Sequence, residues 1–95
     1  MANPDETKYI RNPAVTETTL DDDVFLVEPG SGEVFYLNLI TSGLWTLFAE
    51  AASTDEALAI YRSAFPDNPE DDIRRDVTAA IAEMRDRDLI VAYRD

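Results

Sequence analysis

Ninety-five residues suit one domain, which buries roughly 60–70% of the surface its unfolded chain exposes: enough for one core, not for a deep catalytic cavity as well. The chain has no cysteine and no histidine, which excludes a disulfide scaffold, a thiolate metal site and a thiol nucleophile and removes the commonest general base and zinc ligand. Twenty acidic residues against eight basic ones give a net charge of −12, a surface that repels nucleic acid and anionic lipid.

The opening segment, MANPDETKYIRN, is polar and has no apolar signal region, and no window approaches eighteen apolar residues. Soluble, cytoplasmic behaviour is expected. Residues 1–8 read as a loose tail and residues 9–95 as the single domain. From Tyr9 to Thr19 the chain is irregular, with a short strand over residues 14–19 that turns Val15 inward. Asp21, Asp22 and Asp23 form a solvated turn; their spacing fits no calcium loop, because no glycine stands where such a loop needs one. A second strand covers residues 24–28. Pro29-Gly30-Ser31-Gly32 is turn chemistry and joins it to the next strand as a hairpin. These glycines are not followed by the further glycine or lysine of a phosphate loop.

The rest of the fold is organised around residues 34–48, VFYLNLITSGLWTLF, which contain no charge in a chain that is 29% charged. Val34, Phe35, Tyr36 and Leu37 are strand formers. Ile40, Leu44, Trp45, Leu47 and Phe48 then recur at helical spacing, with Thr41 or Ser42 placed to cap the helix and Asn38 at the corner. Trp45, Leu47 and Phe48 read as core. Ser53 and Glu56 form a capping box for a second helix that reaches about Ala64 and turns Ala57, Leu58, Tyr61, Ala64 and Phe65 inward. Asn68 is placed as the cap of a third helix, with Pro69 as its first residue and Glu70, Asp71 and Asp72 complementing the helix dipole. That helix continues to about Arg87, and residues 89–92, LIVA, close the chain as an extended apolar segment. The expected class is α+β: three short N-terminal strands followed by three helices.

On the third helix, Ile73, Val77, Ala80, Ile81 and Met84 make the core stripe. One flank carries Arg74, Thr78, the margin of Ile81, and Arg85. The other carries Asp76, Ala80, Glu83 and Arg87. Arginines around a threonine and an isoleucine both cover apolar side chains and pair with carboxylates, although arginines on a solvated flank also simply balance an acidic protein.

The motif G-x-V-F-Y-L-N over residues 32–38, followed by L-W-x-L-F over residues 44–48, an acidic-led helix and the ending R-D-L-I over residues 87–90, resembles the PqqD-like peptide-recognition domains, also called RiPP recognition elements. The resemblance spans roughly residues 9–91. The sequence departs from the family at LITSG, where Gly43 stands two positions late. The resemblance implies a winged-helix-like α+β domain without catalytic activity or cofactor. It implies as partners the leader segment of a ribosomally made precursor peptide and a separate modifying enzyme encoded nearby, with no nucleic acid and no membrane. The leader is expected to add as a strand along Val34, Phe35, Tyr36 and Leu37 and to lie against the third helix. The residues agree in part: this strand has none of the charges that protect an edge, and Arg74, Thr78, Ile81 and Arg85 offer a second wall. If that flank faces the edge, the leader carries acidic residues about five apart; the flank of Asp76 and Glu83 is the alternative. Two other classes compete. A winged-helix DNA-binding regulator would use the third helix for recognition, against the charge of the chain, and a non-catalytic interaction subunit such as an antitoxin would partner a toxin.

Overall fold

The structure, a computed structural model, describes residues 7–93. It is an α+β domain with six strands in two three-stranded sheets and three helices, and the expected class holds. The strands are β1 (Lys8–Arg11), β2 (Thr16–Leu20), β3 (Asp23–Val27), β4 (Val34–Tyr36), β5 (Ala52–Ser53) and β6 (Ile90–Ala92). The helices are α1 (Leu39–Leu47), α2 (Thr54–Ala64) and α3 (Glu70–Asp86).

One sheet is the antiparallel meander β2-β3-β4 that the turn chemistry predicts. Asp21, with φ 57°, and Asp22 form its first turn, while Gly30 and Gly32, with φ 84° and 73°, shape its second. The other sheet, β5-β1-β6, joins three distant parts of the chain. Here the sequence reading is corrected: β1 lies where an irregular segment is expected, and β5 is additional. Lys8 belongs to β1 rather than to a tail, and its carbonyl accepts from the Tyr93 amide at 2.8 Å. The remainder of the expected tail, residues 1–6, lies outside the described residues. KYIR is short and flanked by charges, so Tyr9 and Ile10 alone do not mark a strand; its extended form is fixed by Ala52, Ser53 and Val91, which sit opposite it.

α1 is capped by Asn38, three or four residues before the expected caps Thr41 and Ser42. The Asn38 Oδ1 accepts from the Thr41 amide at 2.9 Å, and Thr41 Oγ1 accepts from the Asn38 amide at 2.8 Å. This reciprocal pair satisfies two groups that a helix start leaves free, and it allows Thr41 to be buried. Gly43, inside α1, lets Tyr61 of α2 approach the helix backbone: a Cβ at this position would run into the Tyr61 hydroxyl, which donates to the Ile40 carbonyl. Burial raises the Tyr61 pKa above its ordinary value, partly opposed by a backbone hydrogen bond at Leu44. α2 has the expected Ser53–Glu56 capping box, with Ala64 exposed rather than inward.

α3 starts at Glu70 with Pro69 in the cap position and no side-chain cap bond, so Asn68 does not cap it. Its far end is a Schellman turn. The Leu89 amide reaches the Met84 carbonyl at 2.9 Å and the Asp88 amide the Arg85 carbonyl at 3.0 Å, with Asp88 at φ 58°. The turn drops Leu89 and Ile90 into the core and launches β6.

The core joins both sheets to all three helices through Leu26 and Phe35 of the meander, Ala52 and Ile90 of the second sheet, and Leu44, Trp45, Leu58, Val77, Ile81 and Met84 of the helices. Trp45 ties the two sheets together. Its indole N–H donates to the Glu17 carboxylate in β2. Its carbonyl accepts from Arg11 Nε of β1 at 2.8 Å, and the Arg11 guanidinium lies 4.4 Å from the ring centre.

Candidate peptide-binding groove

In the meander, β3 pairs with β4 so that Val27 faces Val34, Leu26 faces Phe35 and Phe25 faces Tyr36. Hydrogen bonds from the Glu28 amide to the Glu33 carbonyl and from the Leu37 amide to the Val24 carbonyl mark the hydrogen-bonded pairs of this ladder. Antiparallel pairs alternate between bonded and non-bonded. The backbone groups of Phe35 therefore point to β3, and those of Val34 and Tyr36 point away from it. Among the described residues no strand pairs with that outer side of β4. The outward ladder stops at Asn38, whose amide is taken by Thr41.

The side chains divide in the same way. Phe35 is buried at 8% exposure and Leu37 is half-buried, while Val34 at 44% and Tyr36 at 72% stand on the outer face. Phe25 packs on Tyr36 with ring centres 5.7 Å apart. The four residues of the predicted strand thus have two roles: Phe35 and Leu37 hold the sheet to the core, and Val34 and Tyr36 present an uncharged open edge.

The C-terminal end of α3 reaches the start of β4 through Arg87. Arg87 binds Glu28 at 3.0 Å, reaches Glu33 at 3.9 Å and Glu83 at 3.5 Å, and lies 5.4 Å from the Phe35 ring centre. Its hydrogen bond to the Glu28 carboxylate, reinforced by the charges of Glu28 and Glu83, raises the guanidinium pKa further above its ordinary value. Past the end of β4, at Asn38, a groove opens between the start of α1 (Asn38, Ile40, Thr41) and α3 (Asp76, Ala79, Ala80, Glu83); Tyr36 itself lines a separate hollow with Asp22, Asp23, Val24, Leu37 and Ser42. A smaller apolar hollow adjoins the groove, formed by Leu39, Ile40, Phe65, Ile73 and Val77 with Asp72 and Asp76 at the margin.

The structure does not bring Arg74, Thr78 and Arg85 to β4. Arg74 and Thr78 border a polar hollow shared with Tyr9, Thr54, Asp55 and Leu58, and Arg85 lies over the Tyr9 ring at 5.2 Å. That flank faces β1 and the start of α2. Ile81 is buried between the two flanks at 4% exposure. The other flank, with Asp76, Ala80 and Glu83, lines the groove that opens at Asn38, and its Arg87 reaches Glu33 and the Phe35 ring at the start of β4. The residues that sequence reasoning did not place here are Asn38, Ile40, Thr41 and Ala79. One visible signal was the Ala79-Ala80 pair, small side chains that leave room beside a helix.

A three-stranded meander whose outer strands, β2 and β4, each pair on one side only among the described residues, set against a helical layer, defines a small α+β domain. The chain belongs to the PqqD family: residues 23–90 match the family described as coenzyme PQQ synthesis protein D. Among solved structures it is similar to TbiB1, determined in complex with the TbiA(beta) leader peptide. The TM-score is 0.73 at 22% sequence identity, covering 90% of this chain and 99% of that one. The fold is shared. No curated protein sequence matches the chain.

Proposed function

We propose that this protein binds the leader segment of a ribosomally made precursor peptide and presents it to a separate modifying enzyme, without catalysing a reaction and without a cofactor. The observation that carries the reading is the outer side of β4, where Val34 and Tyr36 turn unpaired backbone groups away from β3, with the groove of Asp76, Ala80 and Glu83 opening at Asn38 just past the strand. An extended peptide added there gains main-chain hydrogen bonds from the edge and side-chain contacts from the groove. Family membership and the fold shared with a leader-peptide complex support it. Phe35 and Leu37 act as supports, Val34 and Tyr36 as the pairing residues, and Asp76, Ala79, Ala80 and Glu83 as the facing wall. Among the described residues no helix is long and apolar enough to cross a membrane, and we place the protein in the cytoplasm, where precursor peptides are made.

Tyr36→Pro tests the reading. The Tyr36 amide points away from β3, so proline there removes a donor from the open edge without breaking the β3–β4 ladder. Circular dichroism and thermal melting should remain close to those of the unchanged protein. Fluorescence anisotropy with the precursor peptide encoded beside the gene should show binding reduced at least tenfold. A folded Tyr36→Pro protein with unchanged affinity refutes strand addition at β4.

A further inference from the structure

The groove that opens at Asn38, just past the end of β4, has a charge that the backbone geometry of the edge does not require. Arg75 is shared between Asp72 at 3.4 Å and Asp76 at 3.3 Å. Arg87 is shared among Glu28, Glu33 and Glu83. Five carboxylates along this side of the molecule thus share two guanidinium groups, on a chain with a net charge of −12. On the opposite flank, no carboxylate among the described residues forms an ion pair with Arg74, and Arg85 is spent on the Tyr9 ring.

We infer that the peptide taken up along β4 is a basic one, with a lysine or arginine on each side of a small or aliphatic residue, all three facing α3. The inference rests on the reading of β4 as a peptide-binding edge and reverses the charge expected from the arginine flank. Asp76 and Glu83 stand two turns apart, about 10 Å along the helix axis, with Ala79 and Ala80 between them in the groove wall. Side chains on one face of an extended strand recur every two residues, about 6.7 Å. An aliphatic residue over the alanines therefore has its same-face neighbours roughly 6.7 Å to either side, and long basic side chains converge from there on the two carboxylates. An acidic peptide in this position meets Asp76 and Glu83 with both local arginines already shared. The intervening residues face outward beside Val34 and Tyr36, an apolar surface that favours β-branched or aromatic side chains.

The probes are two labelled seven-residue peptides of β-branched residues with leucine at the centre, one with lysine two positions to either side of it and the other with glutamate there. The lysine peptide should bind at least tenfold more tightly than the glutamate peptide, and the preference should shrink as salt is raised. In Asp76→Lys with Glu83→Lys the preference should invert. The milder pair Asp76→Asn with Glu83→Gln should erase most of it, which keeps the test open if the lysine variants fold poorly. Equal affinity for the two peptides, preference for glutamate, or binding of neither overturns the inference. The reading of β4 is scored separately, by retention of a randomised peptide library on the unchanged protein and on Tyr36→Pro. If library retention is lost in that variant without any basic preference, the edge stands and the charge rule falls. If Tyr36→Pro retains the library unchanged, the edge falls and the charge rule falls with it.

Discussion

The two flanks of α3 share one helix and one buried stripe, yet they meet different surroundings. The flank of Arg74, Thr78 and Arg85 faces β1 and the start of α2, where Arg85 covers Tyr9. The flank of Asp76, Ala79, Ala80 and Glu83 borders the groove that opens at Asn38, past the end of β4. One flank is arginine-bearing and partly used to hold the second sheet. The other is small and acidic, and ends in Arg87, which reaches Glu33 and the Phe35 ring at the start of β4. Charge type on a helix face therefore does not say what that face meets; the element across the gap does. The arginines looked like the natural grip for a carboxylate-bearing peptide, but the backbone that would hold such a peptide is on the other side.

The widest break in this comparison would come from the stripe between the flanks. Met84 is fully buried, and Met84→Ala should cost about 2–5 kcal/mol, the range for truncating a large core side chain. Because both flanks hang on the same packing, thermal melting should show one cooperative loss. A melting temperature within a degree of the parent would show that the stripe does not carry the helix.

The next largest effect is a test of position alone. Ala79 lines the groove and Thr78, its neighbour, lines the opposite hollow. Ala79→Trp should weaken peptide binding about tenfold, equivalent to about 1.4 kcal/mol, by filling space in the groove. Thr78→Trp adds the same bulk on the other flank and should leave affinity unchanged. Titrating one labelled peptide into both variants decides it, and equal losses would erase the distinction between the flanks.

The smallest expected effect belongs to Arg74. It is exposed, and its flank lies away from β4. Arg74→Ala should change both stability and peptide affinity by less than about 0.5 kcal/mol, as for surface substitutions without a structural role. A tenfold loss of peptide affinity, measured by calorimetry, would return the binding site to the arginine flank.

Much of this was legible in the chain itself. The uncharged run over residues 34–48 fixes a strand and a helix by local preference and periodicity, and the Ser53–Glu56 capping box and the two positive-φ glycines of the second hairpin are local chemistry too. Such features depend on residues a few positions apart, and these can be read in order. β1 and β5 could not be read in that way, because Lys8 and Tyr9 become strand only when Ser53 and Ala52 lie opposite them. The helix start at Asn38 shows a smaller case of the same kind: asparagine and threonine are both capping residues, and only the reciprocal bond between them decides which is the cap. The candidate site divides along the same line. Val34 and Tyr36 are recognisable as an unprotected strand, but the direction of their backbone groups depends on register with β3. Helical periodicity sorts α3 into a core stripe and two flanks without saying which flank meets β4. That choice follows from how α1 leaves the strand at Asn38 and from the anchoring of Arg87 on Glu28, contacts between residues far apart in the chain, and so it was made by the tertiary structure alone.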